Sequence, residues 1–410
     1  MNNKPLILVD FSHLFSRNIF VAINQANPKK KNGKYISKEI EPYLKHLLFN
    51  SLQYVDNMFK GELVLALDSK TNWRKLFYKD YKGNRAKTKE NGEIDWEGMY
   101  IIIDEIVENI KNMFPYKVIK VEKAEADDIG ACLSMKYGDD RKIILVTSDH
   151  DWLQNITHKK YINMYDPIKK CYSHLEDWEN EIIDTYLGPM SRFTIVHTLR
   201  GDTGDNVPKT TFETEFSKNF ITYLKENGIT NTNVHEVKKL DSFKELVDNY
   251  QIYNKIKSGK NKGEIKLDYR IWYKLKDGSL IEKNNYVEQN LSDDYEIVEI
   301  PEKDIYKQVN LGQDKAKKVS ASTESLNEFL NSHPLYKENF KFSNILVDFT
   351  KIPETLRKNI EKEYECCEVN YHPKKILDYF ISENLGAHIN QIDKFKTMEY
   401  ESKTSLDDFF

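Results

Sequence analysis

Apolar residues in the first two hundred positions fall into two kinds of run. Short strand-like ones, at residues 6–9, 63–67 and 142–147, are bounded by polar or glycine residues and predict buried strands. Between them, over residues 41–59 and 96–113, apolar positions recur every three or four residues, which predicts amphipathic helices. Strands alternating with helices predict an α/β fold, a mostly parallel central sheet flanked by helices. In such sheets the functional crevice lies beyond the carboxyl ends of the strands. Each predicted strand delivers acid there: Asp10 after the first, Asp68 after the second, Asp149 and Asp151 after the third. Taken singly, Asp10 and Asp68 read equally well as N-caps of following helices.

Beyond residue 190 the texture changes. Residues 192–199 predict a short helix running into Gly201-Asp202-Thr203-Gly204-Asp205-Asn206-Val207-Pro208, a turn-rich loop with proline near the start of the next helix. Residues 235–330 are polar and rich in Lys, Asn and Tyr. They include a predicted hairpin, 269–275 and 280–287, around Asp277-Gly278. A helical block at about 345–395 and a charged tail ending Ser405-Leu406-Asp407-Asp408-Phe409-Phe410 complete the chain.

Composition adds bounds. The chain has 410 residues, 40% of them hydrophobic and 31% charged, which suffices for a sizeable core and excludes a disordered chain. No apolar run approaches the roughly 20 residues needed to span a bilayer, and residues 6–9 are too few for a signal peptide core. Four cysteines show no zinc spacing, and Cys366-Cys367 read as buried small hydrophobes. The expectation is a reduced, soluble, intracellular protein without a membrane partner. Net charge is only −4, but residues 70–90 carry eight Lys/Arg against two acids, and residues 253–278 eight against three. Such blocks are either solvated faces or footprints for a polyanion.

Ala124-Glu125-Ala126-Asp127-Asp128 opens a further helical pattern, and Asp202 and Asp205 lie three apart in the turn-rich loop. Helical spacing puts Glu125 and Asp128 on one face with Asp127 beside them. Asp149 and Asp151, two apart in a segment read as extended, project to one side. These nine acids fall in five clusters. Gathered in one crevice they would raise each other's pKa unless something neutralised them. Hard divalent cations with oxygen ligands suit that donor set, and two ions suit its size. The bland alternatives are a helix N-terminus that favours acids at 125–128 and turn formation at 202 and 205.

In chain order, Leu8-Val9-Asp10, Ala66-Leu67-Asp68, Tyr81-Lys82-Gly83-Asn84-Arg85, Glu125-Ala126-Asp127-Asp128, Thr147-Ser148-Asp149-His150-Asp151 and the 201–208 loop resemble the motifs of 5′ nucleases of the flap endonuclease superfamily. The layout is similar to that of the T-even phage ribonuclease H, a 5′-3′ exonuclease. The resemblance covers about residues 4–210, and more weakly 345–395. It implies a PIN-like nuclease core at 1–190 with a basic helical arch at about 70–95. It further implies a helix–three-turn–helix-like DNA-binding region at 191–234, with 235–330 an insertion of unassigned role, 331–396 a helical block and 397–410 a tail.

By the same resemblance Asp10, Asp68, Glu125 and Asp127 surround one metal ion, and Asp149, Asp151, Asp202 and Asp205 a second. Asp128 takes an outer position. Both ions are implied to be Mg2+, with Mn2+ a substitute. Lys82 and Arg85 match arch residues that hold the scissile phosphate, and Arg74, Lys75, Lys79, Lys87 and Lys209 are implied to contact nucleic acid. Trp73, Phe77, Tyr78 and Tyr81 are candidates for stacking on bases, with core packing expected for at least half of them. The glycines usual after the 201–208 loop are missing, which leaves duplex contacts to side chains such as Lys209 and Lys218. Leu406, Phe409 and Phe410 look like a sliding-clamp-binding peptide. The implied substrates are DNA with 5′ ends or flaps and RNA–DNA hybrids. The implied setting is phage-type lagging-strand replication in a host cytoplasm, by a monomer, with a single-stranded DNA-binding protein a further candidate partner. A non-catalytic, clamp-recruited binding protein on the same fold is the competing reading.

Overall fold

A computed structural model describes residues 4–156, 161–173, 181–211, 214–232, 237, 240–253, 269–275, 280–282, 295–301, 306–308, 311–332 and 335–395. The clamp-peptide residues Leu406, Phe409 and Phe410 lie outside the described residues. The chain divides into two compact units: residues 1–183, 189–194 and 346–410, and residues 184–188 and 195–345.

The first unit is built on β1 (Leu6–Asp10), β4 (Glu62–Ala66), β5 (Lys117–Ile119), β6 (Ile143–Val146), β7 (Ile162–Asp166) and β8 (Cys171–Ser173), with a small β2–β3 ribbon (Lys30–Lys31, Lys34–Tyr35) apart from them. Strand order is β5-β4-β1-β6-β7-β8, parallel throughout except for antiparallel β8 at the edge. This is the predicted fold class. Every residue of β1 is buried, Asp10 at its end included, as a strand covered on both faces should be. Val9 lies opposite Leu65 and Val146, so three strands end level with one another. The chain order reverses at β1, between β4 and β6, which is where such sheets place their ligands.

Helix α1 (Phe11–Ala26) follows β1 directly, and α2 (Ser37–Phe59) begins four residues before the predicted start. Pro42 sits inside it, close enough to the N-terminus that its missing N–H removes one early hydrogen bond and leaves the rest of the helix intact. The helix predicted at 96–113 is α5 (Trp96–Met113), capped by Asp95 and burying Met99, Ile102, Ile103, Ile106, Val107 and Ile110 in one stripe. Helices Glu354–Cys366 and Pro373–Ser382 return to the same unit. Phe380 packs edge-on against Phe49 at 5.3 Å, and Phe49 stacks on Phe114 at 5.2 Å. The cysteines depart from expectation: Cys366, at the end of its helix, is exposed and Cys367 half-buried.

In the second unit, strands Tyr269–Leu275 and Leu280–Glu282 form the predicted hairpin, with Trp272 opposite Glu282. A third strand, Tyr295–Pro301, pairs along the other edge of the first. Phe216, Phe220, Tyr223, Leu224 and Tyr250 make a small core. No helix starts at Pro208. Its carbonyl accepts from Ser343 Oγ at 2.7 Å, and the carbonyls of Lys209 and Thr210 accept from Asn339 Nδ2 at 3.3 Å. Those acceptors are therefore committed to side chains, and the chain runs on into a strand, Thr214–Phe216, before the helix Lys218–Glu226. Among the described residues no helix is long and apolar enough to cross a membrane.

Candidate active site

Three strand ends of the first unit supply the framework. Asp10 closes β1 and caps α1: its carboxylate accepts from the His13 backbone N–H at 2.9 Å and from Thr147 Oγ1 at 3.1 Å. Thr147 follows β6, and its hydroxyl also accepts from the Asp149 N–H at 3.0 Å, so one side chain ties two acids together. Asp149 then caps a 3-10 turn, His150–Asn155, and accepts from the Asp151 N–H at 3.1 Å. The segment is a turn rather than the extended run expected.

Asp68 lies two residues past β4. Its backbone N–H donates to Ser12 Oγ, and its carboxylate accepts from the Ala126 N–H, both at 2.8 Å. That second bond joins Asp68 to the first turn of α6 (Ala126–Tyr137), whose cap is Glu125. The cap is reciprocal: Glu125 accepts from the Asp128 N–H, and the Glu125 N–H donates to Asp128 Oδ2 at 2.9 Å. Both the capping and the clustering readings of Asp10 and Glu125 therefore describe the same geometry. Carboxylate oxygens of Glu125, Asp127 and Asp128 approach within 4.8 Å of one another.

Compensating cations lie nearer than the chain order suggested. Arg74, from α3 (Trp73–Phe77), is 1% exposed; its guanidinium meets Glu125 at 3.1 Å and Asp128 at 2.9 Å and donates to the Leu346 carbonyl at 2.9 Å. The expected phosphate contact is thus corrected: the guanidinium is buried and turned inward onto these partners. Asp128 is fully buried, held by Arg74 and by Trp73 Nε1. It braces Glu125 from behind through the Glu125 N–H and the shared Arg74. Lys82, at the left-handed cap of α4 (Gly83–Asn91), reaches Glu125 Oε1 at 2.5 Å. Tyr81 is buried with its hydroxyl donating to Glu125 at 3.3 Å.

The balance of charge sets protonation. Burial raises Asp10 to about 7, reinforced by the negative charges of Asp68 and Asp149 and opposed by the His13 N–H and Thr147. Asp68 shifts the same way, although part of its side chain reaches solvent. Burial raises Asp127 well above the carboxylate range, with Asp128 and Glu125 adding to it. Burial would raise Glu125 too, but Lys82 and Arg74 together bring it below its ordinary value. The crevice thus holds more negative charge than its own cations neutralise.

Among the other expected contacts, Lys75 and Lys79 are exposed beside α3, and Arg85 is exposed on α4. The Lys87 side chain lies outside the described residues. Trp73, Tyr78 and Tyr81 are core, leaving Phe77 (47% exposed) and its neighbour Leu76 (73%) on the surface. In the second unit, Asp202 Oδ1 accepts from the Gly204 N–H at 2.6 Å and weakly from the Asp205 N–H at 3.4 Å, while Asp202 and Val207 exchange backbone bonds. Gly201 at φ 62° fits here because a Cβ would strike the Val207 and Pro208 carbonyls. Asp205 is buried, and Lys209 is half-buried, its pKa lowered by that burial. Sequence reasoning passed over Ser12 on Asp68, and two histidines whose scatter along the chain reads as structural join these networks: His13 (Nε2 to Ser148 Oγ, 2.7 Å) and His197, 3.9 Å from Asp202. His197 sits five residues before Asp202, a spacing that was readable.

The profile of the family described as 5′-3′ exonuclease, N-terminal resolvase-like domain, matches residues 5–186. The chain is 28% identical over 223 residues to the ribonuclease H of Enterobacteria phage T4, covering 52% of this chain and 65% of that one. It is 26% identical over 231 residues to a Streptococcus pneumoniae DNA polymerase I, over 56% of this chain and 24% of the polymerase. It therefore spans just under two thirds of the first relative and about a quarter of the second. A crystal structure of T5 D15 protein with metal ions aligns over 89% of this chain and 100% of that one, at 15% identity and a TM-score of 0.43, too loose to assign residues. Residues 5–186 thus match the 5′-3′ exonuclease N-terminal, resolvase-like domain, and over that stretch the chain is similar to 5′ nucleases.

Proposed function

We propose that the chain is a metal-dependent 5′ nuclease that hydrolyses phosphodiester bonds at 5′ ends, 5′ flaps and RNA–DNA hybrids. The observation that carries this reading is the set of carboxylates on level strand ends, held by Thr147, Ser12 and the Glu125 cap, with more charge than Arg74 and Lys82 neutralise. All-oxygen donors of this kind fit magnesium or manganese and no softer metal. Asp10, Asp68, Glu125 and Asp127 would hold one ion, and Asp149 and Asp151 would serve a second. Two such ions supply charge neutralisation and a more acidic water for in-line displacement at phosphorus.

The chain's own residues do the rest. Lys82, already oriented by Glu125, and Arg85 on the same helix meet the non-bridging oxygens of the scissile phosphate and offset charge as it develops. Lys75 and Lys79 hold neighbouring phosphates, which positions a strand without reading its sequence. Exposed Phe77 offers one stacking face to an unpaired base. The role extends to removing RNA primers and adjacent DNA during lagging-strand synthesis in a host cytoplasm. Leu406, Phe409 and Phe410 would engage a sliding clamp, and a single-stranded DNA-binding protein is a second candidate partner.

A labelled 5′-flap duplex and an RNA–DNA hybrid, each incubated with magnesium or with EDTA, test the reading. Cleavage should appear with magnesium only, and Asp149→Asn should abolish it while substrate binding persists. Binding without cleavage by the unaltered protein would support the scaffold reading instead.

A further inference from the structure

Beside the acidic crevice, the first unit contains a second cavity. It measures about 300 Å³ and lies among α1, α2 and the carboxyl ends of β1 and β6, at the lower end of the roughly 300–1,000 Å³ range of small-molecule sites. Asp10 and Thr147 form a wall shared with the acid cluster. Leu14, Val21, Leu47, Val55 and Val146 make the rest of the lining mainly apolar. Three features distinguish it from a packing defect.

The first is Asn18. It lines the cavity, is only 4% exposed, and its Nδ2 has no hydrogen-bond partner. A buried donor left unpaired is destabilising, so a ligand atom that accepts from it relieves a standing penalty. The second is charge. Arg17, one residue before Asn18, and Lys170 at the rim make no ion pair among the described residues; the Lys170 ammonium lies 5.9 Å from the Tyr54 ring centroid. The third is Tyr54 itself, half-exposed with its hydroxyl fixed to Tyr165 at 2.8 Å, which leaves a held aromatic face at the cavity edge. An apolar slot with one inward donor, an aromatic edge and two uncommitted cations is complementary to a flat heterocycle joined to an anion.

We propose that this pocket binds one nucleotide unit, the base lying against Leu47, Val55 and Tyr54 with its edge accepting from Asn18 Nδ2, and the phosphate met by Arg17 and Lys170. The choice of nucleotide rests on the nuclease reading above, since the wall at Asp10 adjoins the crevice where phosphodiester would be cut. The same unit has two possible sources: the terminal nucleotide of a bound strand, or the free nucleoside monophosphate released by cleavage.

Calorimetric titration in EDTA with 5′-dAMP, deoxyribose 5-phosphate and inorganic phosphate tests the pocket without any turnover. The expected result is saturable 5′-dAMP binding at least about tenfold tighter than either baseless ligand, because burying a base adds apolar area and satisfies Asn18. Arg17→Ala should weaken it about 10- to 100-fold, the loss expected for one charge-assisted hydrogen bond. Val21→Trp, which fills the slot while leaving both cations, should abolish it; circular dichroism of each variant confirms that it is folded. Competition by a 5′-phosphorylated oligonucleotide, lost when its terminal residue is abasic, assigns the pocket to the substrate strand. Absence of competition by either oligonucleotide assigns it to the free product. The proposal is overturned if 5′-dAMP binds no tighter than phosphate, or if folded Arg17→Ala and Val21→Trp both bind it as the unaltered protein does. Flap cleavage in magnesium is followed in parallel: cleavage without nucleotide binding overturns the pocket alone, and nucleotide binding without cleavage overturns the nuclease reading alone.

Discussion

Glu125 and Asp10 are both buried carboxyl groups, yet their neighbours drive them to opposite states. Glu125 sits against Arg74 and Lys82 and stays ionised; Asp10 faces Asp68 and Asp149 and is raised to about 7. The difference makes Arg74 structural, since it is the shared counter-charge of Glu125 and Asp128. Arg74→Ala should therefore lower stability by about 3–5 kcal/mol, the typical cost of stranding a buried partner, measured as a shift in the urea midpoint. Neighbouring Lys75 is exposed, and Lys75→Ala should change stability by less than about 0.5 kcal/mol. It should instead reduce the salt dependence of substrate binding by about one phosphate contact, read from affinity at several salt concentrations. Equal behaviour of the two variants would contradict the separation drawn here. The two residues are adjacent in a basic run, and composition alone could not tell which one turns inward. The signal that does so is Trp73, whose indole and Arg74 both reach Asp128.

At the scale of elements, α6 and the His150–Asn155 turn are seated on each other through Gly130. A Cβ at that position would collide with the ring of Trp152, which is fully buried. Gly130→Ala should cost about 1–3 kcal/mol through overpacking and displace the turn that carries Asp149 and Asp151. Thermal denaturation reads the first effect; a fall in kcat with little change in KM reads the second. Helix α2 carries a separate device. Asp56, in its last turn, accepts from the Tyr116 hydroxyl at 2.9 Å while its other oxygen has no partner, and burial raises its pKa to about 7. Because the folded state keeps a proton that the unfolded chain loses near pH 4, this contribution is complete below that pH. It diminishes as pH rises toward 7 and is gone above it. The span corresponds to at most about 4 kcal/mol. Asp56→Asn should flatten that part of the pH–stability curve in urea denaturation at pH 5 and pH 8; an unchanged slope would contradict the assignment.

Across the molecule, the parts legible in sequence were those fixed by local pattern. Short apolar runs with an aspartate at or soon after their ends gave β1, β4 and β6, because a strand buried on both faces has few polar positions to blur it. The 96–113 helix was equally plain, having one apolar stripe and an Asp cap. What local pattern could not show were long-range commitments: Arg74 bonded to a carbonyl 272 residues later, Phe380 completing a core begun by Phe49, and Pro208 held by Ser343. The acids stood out in the sequence, while the hydroxyl that fixes Asp68, that of Ser12, lies in none of the motifs that do. The Tyr295–Pro301 strand was missed because its partner lay in a segment read only as a two-stranded hairpin.

The central claim is that these acids hold two hard cations. Anomalous X-ray diffraction from crystals soaked in Mn2+ tests it most directly. The account predicts one peak among Asp10, Asp68, Glu125 and Asp127 and a second at Asp149 and Asp151. A map with no peak at these carboxylates, under conditions where the same crystals take up Mn2+ elsewhere, would contradict it.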